Sequence, residues 1–242
     1  MKIDLFLSPS EIQLGKIKDR LAIIIDVLRA STSMITAFSN GCLGIISVAD
    51  VDQAKQLAEK FPRESVLLGG ERNEKLIPGF DLSNSPFEYT SERVNGKKII
   101  FTSSNGSKLF NYVQEAKKIV VAGFVNATIM SQFIIENNLD VAILCAGKNG
   151  QFGLEDAVCG GMIIDKLKNN NLALNDSAVA AHILCQFYED DIVQMLHQTS
   201  HGMRLIEIGR EEDLVLCGQI DSIEMIPILY KNEIVLLKNS KN

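Results

Sequence analysis

Several common sequence signals are absent from this chain, and each absence excludes a class of protein. No segment approaches the ~18 consecutive apolar residues of a membrane span. The N-terminal stretch MKIDLFLSPSEIQ has acidic residues and a proline where a signal peptide needs an unbroken apolar core. The five cysteines are odd in number and form no C-x-x-C pair, which disfavours both disulfides and zinc. We therefore expect a cytoplasmic protein with reduced thiols and no membrane partner.

An excess of positive charge is also missing. Lysine and arginine total 24 residues against 30 aspartates and glutamates, giving a formal net charge of -6. A nucleic-acid partner is therefore unexpected, because phosphate backbones are bound by concentrated positive charge. Hydrophobic residues at 46% and charged residues at 22% are ordinary for a globular protein. An acidic protein of this kind can bind an anion only where its cations are locally concentrated.

Three familiar catalytic motifs are absent as well. There is no G-x-x-x-x-G-K-[ST] Walker loop. The D-x-D-x-T motif of haloacid-dehalogenase phosphatases is not met, because Leu28 stands where the general acid would be. His197 and His201 are four residues apart but have no H-E-x-x-H motif. We expect surface or capping positions for both, with His201 the better candidate to reach a site.

The strongest pattern that is present is a series of short runs rich in Ile, Val and Leu. They are apolar on both faces, as in a parallel sheet covered by helices on both sides. The predicted strands are KIDLFL, LAIIIDV, LGIISV, SVLLGG, KKIIFT, KIVVAG and DVAILCAG. The predicted helices between them span 32–41, 52–60, 105–113, 127–137 and 154–169. We therefore expect an α/β fold of parallel β-sheets with helices on both faces.

The pattern changes in the last third of the chain. From about 172 to 215 it becomes helical, and SIEMIPILYKNEIVLLKNSKN predicts two short strands around a turn at Lys231 and Asn232. We expect residues 1–170 to form the sheet region with the active-site loops. Residues 171–242 would be a closely packed second subdomain, mainly helical with two C-terminal strands. A homo-oligomer is left open.

Polar residues follow the second predicted strand, at the edge where ligands of open α/β sheets collect. These are Asp26, Arg29, Ser31 and Thr32. An aspartate at the end of a buried strand needs a cation, a metal or several donors. A salt bridge with Arg29 is one explanation. The added hydroxyls favour the other, which is a site for a phosphorylated small molecule.

Two further segments combine polar residues with glycine. In TSSNGSK, Ser104, Asn105 and Gly106 stand where a strand gives way to a helix, so backbone N–H groups and the helix dipole would favour an anion there. An ordinary helix cap is the alternative. In GLEDAVCGG, Glu155 and Asp156 lie in the first turn of a helix, where the dipole alone also favours acids. The glycine pair that follows implies close packing of backbone or ligand.

The long irregular stretch GGERNEKLIPGFDLSNSP, residues 69–86, is the remaining candidate. A loop of this length inside a compact domain is more often functional than not. It supplies Glu71, Arg72, Lys75 and Asp81. We expect Glu74 and Lys75 to be solvated loop residues, whereas Glu71 and Asp81 each stand beside glycine or aromatic residues rather than in a run of charges.

In chain order these segments resemble the 2-phosphosulfolactate phosphatase family. The resemblance lies in IIDVLRASTS, GGER, GFDLSNSPFEY, TSSNGS, GFVNA, CAG followed by G-x-F-x-LED, and CGG. It implies a magnesium-dependent phosphoric monoester hydrolase that converts 2-phospho-3-sulfolactate to sulfolactate and phosphate. It further implies a step towards coenzyme M in methanogens, or sulfolactate production in some bacteria, and parallel sheets in two subdomains.

The resemblance also leads us to expect particular roles for the residues selected above. The expected catalytic residues are Asp26, Arg29, Glu155 and Asp156. The expected substrate-binding residues are Ser31, Thr32, Arg72, Ser104, Asn105 and Gly106. The expected ligands of Mg²⁺, which prefers carboxylate oxygens, are Asp26, Glu71 and Asp81. Lys108 and Lys148 would add point charges for the anion.

Some positions depart from the family pattern and leave the exact substrate open. The family's RATS stands where this chain has Ala30-Ser31-Thr32-Ser33, its TTTNGT corresponds to TSSNGS, and its GFDLGNSP to GFDLSNSP. The last change puts Ser83 at a glycine position, where a positive φ would strain a serine. Two other functions stay open, a lyase or isomerase of a phosphorylated hydroxy acid and a non-catalytic binder of an anionic metabolite. Asp26 could be a metal ligand or a phospho-acceptor nucleophile.

Overall fold

The computed structural model describes residues 1–12 and 14–237, apart from the side chains of Leu14 and Lys108. The predicted point charge of Lys108 therefore lies outside the described residues. The strands are β1 (Lys2–Phe6), β2 (Leu21–Ile25), β3 (Gly44–Ser47), β4 (Val66–Arg72), β5 (Lys75–Leu76), β6 (Lys98–Thr102), β7 (Lys118–Ala122), β8 (Val141–Cys145), β9 (Ala173–Leu174), β10 (Pro227–Tyr230) and β11 (Glu233–Leu236). The α-helices are α1 (Ala30–Ser39), α2 (Val51–Ala58), α3 (Ser91–Val94), α4 (Gly106–Tyr112), α5 (Ala127–Asn137), α6 (Leu154–Lys166), α7 (Asp176–Tyr188), α8 (Ile192–Gln198), α9 (Ser200–Glu207) and α10 (Glu212–Cys217).

These strands form one mixed sheet in the order β5-β4-β6-β3-β11-β10-β7-β2-β8-β1-β9. The pairs that β2 makes with β7 and β8, and that β6 makes with β3 and β4, are parallel. The β4–β5 and β10–β11 pairs are antiparallel. The predicted α/β class with parallel strands is confirmed.

Helices cover both faces because successive strand residues point to opposite sides of the sheet. In β2, Ile23 and Ile25 pack into a core with α5 to α10, whereas Ala22 and Ile24 pack into a second core with α1 and α4. A smaller core lies between α2 and strands β4 and β6. The apolar character of both strand faces thus follows from burial on both sides.

The glycine pair in α6 permits the close packing that its sequence predicts. A Cβ on Gly160 would lie 2.7 Å from Leu5 Cδ1, and one on Gly161 would lie 2.0 Å from the carbonyl oxygen of Ala181. The helix can therefore approach both the sheet and α7. All five cysteines are free and buried, and burial raises the pKa of the Cys159 thiol well above its usual range.

The C-terminal strands form a hairpin whose turn at Lys231 and Asn232 is confirmed. The hairpin lies in the middle of the sheet. Ile228 of β10 pairs with Val120 of β7, and Ile234 of β11 pairs with Ile45 of β3. Residues after 170 contribute strands β9, β10 and β11 to the same sheet as the earlier residues. The division of the chain into two subdomains near residue 170 stays a prediction. Among the described residues, no helix has both the length and the apolar character that a membrane crossing needs.

Candidate active site

One polar cavity of about 310 Å³ opens at the carboxyl ends of β2, β4, β6 and β8. Six residues selected from the sequence line it together: Asp26, Arg29, Glu71, Ser104, Asn105 and Lys148. The other lining residues are Leu28, Asn73, Glu74, Asn84, Asn149, His201 and Arg204. Loops that are far apart in the sequence therefore meet at one edge of the sheet, as the sequence predicts.

The turn after β2 is held by the hydroxyl groups that follow it. The Asp26 N–H donates to Ser31 Oγ (2.8 Å), and Thr32 Oγ1 donates to the Val27 carbonyl (2.9 Å). Both hydroxyl side chains are almost completely buried and neither lines the cavity. Ser31 and Thr32 thus stabilise the turn that carries Asp26. Their hydroxyl groups bond to the backbone of this turn and not to the cavity, where the expected substrate contact would lie.

Asp26 is a buried carboxylate at the cavity wall. Burial raises its pKa to about 6, an effect that the charges of Glu71 and Glu155 increase and His201 opposes. The Ala30 N–H donates to Asp26 Oδ1 (3.3 Å). Gly106 faces the other oxygen, since a Cβ there would lie 2.5 Å from Asp26 Oδ2. Gly106 therefore makes room for the Asp26 carboxylate beside the start of α4.

Arg29 has a partner that the sequence did not indicate. Its Nη1 donates to Asp213 Oδ2 of α10 (2.5 Å), and both side chains are at most 2% exposed. Ser85 Oγ donates to the other oxygen of Asp213 (2.6 Å), and Arg29 Nη2 donates to the Glu74 carbonyl (3.4 Å). The salt bridge between Asp26 and Arg29 that the sequence left open is not the one formed. The guanidinium is instead held by Asp213 and the Glu74 carbonyl, and Arg29 lines the cavity.

Glu71 is the second buried carboxylate of the cavity. It accepts hydrogen bonds from the Ser104 N–H (2.7 Å), from Ser104 Oγ (3.1 Å) and from the Glu74 N–H (2.8 Å). The backbone N–H and the hydroxyl of Ser104, a residue expected to bind substrate, thus both donate to Glu71. Asn105 Oδ1 accepts from the Asn149 N–H (3.2 Å), which ties two loops of the cavity together.

Asp26 and Glu71 are the lining carboxylates that would hold a divalent cation. The lining cations Arg29, Lys148 and Arg204 pair with Asp213 and Glu74 rather than with Asp26 or Glu71. Within the described part of the chain, no three His, Cys, Asp or Glu side chains are arranged as a metal site. Magnesium, however, is commonly held by one or two carboxylates, with water and substrate oxygens completing its shell. Two buried carboxylates facing one cavity meet that requirement.

Arg72 and Asp81 are not brought into the cavity. Neighbouring residues of a strand point to opposite faces, so Arg72 points away from the side that Glu71 faces. Arg72 donates to the Ala49 carbonyl and to Thr102 Oγ1 instead. Asp81 accepts from the Leu68 N–H (2.8 Å), pairs with Arg63 and lines a different cleft. Neither is positioned for the substrate or metal contact expected of it.

Glu155 and Asp156 lie behind the cavity wall. Asp156 accepts from the N–H groups of Val27 and Gly147, each at 2.8 Å, and so joins the loops after β2 and β8. Burial and the charges of Glu155 and Asp26 raise the pKa of Asp156 well above its usual range. Glu155 does not line the cavity itself, but it contacts a histidine that does.

That histidine is His201 in the first turn of α9. Its Nδ1 lies 3.4 Å from Glu155 Oε1, and the residue is 6% exposed and lines the cavity. The surface position expected for His201 is therefore wrong. His197 lies at the surface, between the Val193 carbonyl and Glu211. The two histidine rings thus contact different partners.

A cluster of opposite charges forms another part of the wall. Glu74 lies between Lys148 Nζ (3.3 Å) and Arg204 Nε (3.0 Å). Burial alone would raise the pKa of Glu74, but the hydrogen bond from Arg204 and the charge of Lys148 hold it below its usual value. Sequence reasoning missed Glu74, which it took for a solvated loop residue, and Arg204, which lies in a helical stretch.

Asn84 is a further lining residue that the sequence did not single out. Its Oδ1 is buried and has no hydrogen-bond partner among the described residues. The neighbouring Ser83 is not among the residues with positive φ, so the strain expected from replacing a glycine does not arise. Its hydroxyl donates to Glu88.

Known proteins resemble this chain over nearly its whole length. A sequence model of the 2-phosphosulpholactate phosphatase family matches residues 6–232. The chain belongs to this family. Its relatives include proteins named probable 2-phosphosulfolactate phosphatase from Symbiobacterium thermophilum and Clostridium novyi. The first is 37% identical over 90% of this chain and 95% of the relative, and the second is 37% identical over 94% and 96%. A third, from Clostridium botulinum, is 34% identical over 98% of this chain and 100% of the relative.

Membership of the 2-phosphosulpholactate phosphatase family makes the chain a phosphoric monoester hydrolase. The matched residues contain every side chain that lines the cavity, from Asp26 to Arg204. They also contain Asp213, the partner of Arg29. The cavity is therefore the candidate active site of this phosphatase.

Proposed function

We propose that this protein hydrolyses 2-phospho-3-sulfolactate, or a close 2-phospho acid, to sulfolactate and phosphate with the help of Mg²⁺. The observation that carries the proposal is the meeting of two buried carboxylates, Asp26 and Glu71, with the fixed guanidinium of Arg29 in one cavity. The names of the relatives supply the substrate. The buried, free cysteines support a cytoplasmic site of action. Sulfolactate made there would serve coenzyme M formation or be released, as the family resemblance implies.

Asp26 and Glu71 are the residues that would hold Mg²⁺. The ion supplies positive charge that stabilises the transferring phosphoryl group and the leaving oxygen. The raised pKa of Asp26 agrees with this role, since burial and the nearby acids disfavour its charged form, which a cation bound beside it would stabilise. We assign Asp26 to the metal rather than to a phospho-enzyme.

Arg29 would bind the phosphoryl oxygens. Its side chain is held by Asp213 and by the Glu74 carbonyl, so little conformational entropy is lost when the substrate binds. A donor fixed in this way is already oriented towards the charge that develops during transfer. Asn84, whose buried Oδ1 has no hydrogen-bond partner in the part of the chain that the structure describes, would add an acceptor on the same wall.

His201 would protonate the leaving alkoxide. Glu155 lies beside Nδ1 and would hold the ring in place, which leaves Nε2 for the substrate. In this proposal His201 donates the proton, and Glu155, expected from the sequence to be catalytic, acts as its positioning residue. Asp156 would keep the loops after β2 and β8 together.

The proposal is tested by measuring phosphate release from phosphosulfolactate, phospholactate and phosphoglycerate, with Mg²⁺ and then with chelator. We expect release to be fastest from phosphosulfolactate and to stop with chelator. Substrate loss without phosphate release would indicate a lyase or isomerase. Saturable binding without turnover would indicate a non-catalytic binder, and either result would overturn the proposal.

A further inference from the structure

We propose that Lys148 and Arg204 form a second anion subsite, which takes the sulfonate group of the substrate, and that Glu74 competes with the substrate for this position. The inference rests on the proposed function, because it names the group that this part of the cavity recognises. It assigns to three residues of separate structural elements a role in choosing the substrate, distinct from the chemistry at Asp26 and Arg29.

The geometry is that of an occupied oxyanion site. One oxygen of the Glu74 carboxylate lies 3.0 Å from Arg204 Nε, and the other lies 3.3 Å from Lys148 Nζ. Lys148 comes from the loop after β8, Arg204 from α9 and Glu74 from the turn between β4 and β5. Two cations from different elements therefore converge on one anionic group inside the cavity.

The charges favour an added anion here. Arg29 is matched one to one by the buried Asp213. Lys148 and Arg204, in contrast, share Glu74 within the cavity. Arg204 also contacts Glu207 (2.9 Å), but the Glu207 side chain is 63% exposed, so water screens that charge. Positive charge is thus less fully balanced at this end of the cavity than at Arg29.

The turn that carries Glu74 is anchored by its backbone. The Glu74 N–H donates to Glu71 (2.8 Å), and its carbonyl accepts from Arg29 (3.4 Å). Asn73 and Glu74 adopt left-handed conformations with φ of 52° and 64°. Rotation of the Glu74 side chain would release both cations without moving these backbone contacts. The carboxylate can therefore yield its place while the other end of the cavity keeps its shape.

A sulfonate suits the two cations better than the carboxylate does. It is a monoanion with three oxygens, so it can contact Lys148 and Arg204 together and still accept a further hydrogen bond. The proposed substrate carries phosphate, sulfonate and carboxylate on three adjacent carbons. Phospholactate keeps the phosphate and the carboxylate but lacks the sulfonate, so it separates the two assignments.

The test compares both substrates in Arg204→Gln and Lys148→Gln, with Arg210→Gln as the matched control. Arg210 is an arginine of similar exposure that pairs with Glu88 and Glu212 and does not line the cavity. We expect KM for phosphosulfolactate to rise about tenfold or more in the two cavity variants, since a hydrogen bond to a charged group is being removed. KM for phospholactate should change less than about twofold, and the control should match the wild type.

A binding measurement separates this proposal from the proposed function. Calorimetry with sulfolactate and with inorganic phosphate needs no turnover. We expect Arg204→Gln to weaken sulfolactate about tenfold and phosphate less than about twofold, and Glu74→Gln to tighten sulfolactate. Equal weakening of both ligands, or of neither, would overturn the subsite. Absence of phosphate release from any substrate by the wild type would instead overturn the proposed function.

Discussion

At the scale of single residues, four buried carboxylates define the electrostatics of the site. Asp26, Glu71, Glu155 and Asp156 are all at most 6% exposed. Burial raises the pKa of Asp26 and of Asp156 because the charged form loses its water. Such a cluster costs folding free energy at neutral pH, and proteins keep clusters of this kind where they serve chemistry.

The pKa of Asp26 leads to a prediction about stability. Because this pKa is raised from 3.8 to about 6, the folded protein binds more protons than the unfolded chain between these values. The group therefore lowers the free energy of unfolding as pH rises through this window. We expect the free energy of unfolding of Asp26→Asn, measured relative to that of the wild type, to rise by ~2 kcal/mol when the pH is raised from about 4.5 to about 8. It should also lose turnover.

Urea unfolding in chelator at both pH values measures this difference. Asp190→Asn, which changes an exposed carboxylate that does not line the cavity, should follow the wild type. A constant difference between Asp26→Asn and the wild type at both pH values would contradict the prediction.

The site residues that the sequence revealed are those that follow predicted strands. Asp26, Arg29, Glu71 and Asn105 could be selected because parallel strands end at one edge of the sheet. Arg204 and Asp213 could not, since both lie in helices, and only tertiary packing brings Arg204 to the cavity and Asp213 to Arg29. The period of two in β4 was the available signal that Glu71 and Arg72 cannot face the same site.

At the scale of elements, helix α6 shows how two glycines determine a packing distance. Glycine within a helix costs about 1 kcal/mol relative to alanine. At Gly161 this cost permits contact with the backbone of α7, where the Ala181 carbonyl leaves no room for a Cβ. Helices α6 and α7 both contribute to the core beneath the loops after β2 and β8.

We expect Gly161→Ala to destabilise the protein by about 1–3 kcal/mol in spite of its better helix propensity, because a backbone carbonyl cannot move aside as a side chain can. Thermal unfolding followed by circular dichroism measures the effect. Gly15→Ala is the control, since nothing lies within 4 Å of a Cβ placed there. An unchanged or higher Tm for Gly161→Ala would show that the two helices can separate without cost.

Strands and helices were predictable because apolar periodicity is a local property of the chain. Six of the seven predicted strand runs extend one or two residues beyond the strands β1, β2, β3, β6, β7 and β8. The position of the C-terminal hairpin was not predictable. A single residue pair fixes its register to each neighbouring strand, through Val120 and Ile45. No local pattern specifies such a partner.

At the scale of the whole molecule, an acidic chain with a net charge of -6 is proposed to bind a polyanion. Cations that are already paired with Asp213 and Glu74 cannot balance that charge alone. The overall balance therefore agrees with the proposal that a divalent cation binds together with the substrate.

We expect Mg²⁺ to stabilise the folded wild-type protein, since a ligand that binds only the folded state adds about 2.7 kcal/mol at a hundred times its Kd. Asp26→Asn and Glu71→Gln should lose most of this gain. Tm measured with Mg²⁺ and with chelator, at matched ionic strength, checks the prediction. An equal rise in Tm in the wild type and both variants would place the ion elsewhere.

The central hairpin has a consequence for how the enzyme is made. Strands β4 and β6, which carry Glu71 and precede Ser104, lie on one side of β10 and β11, whereas β2 and β8, which precede Asp26 and Lys148, lie on the other. Residues 227–236 leave the ribosome after all of these. The sheet that carries both walls of the cavity is thus continuous only once residues 227–236 have been made, so a chain that ends before residue 227 lacks the strands that join its two halves.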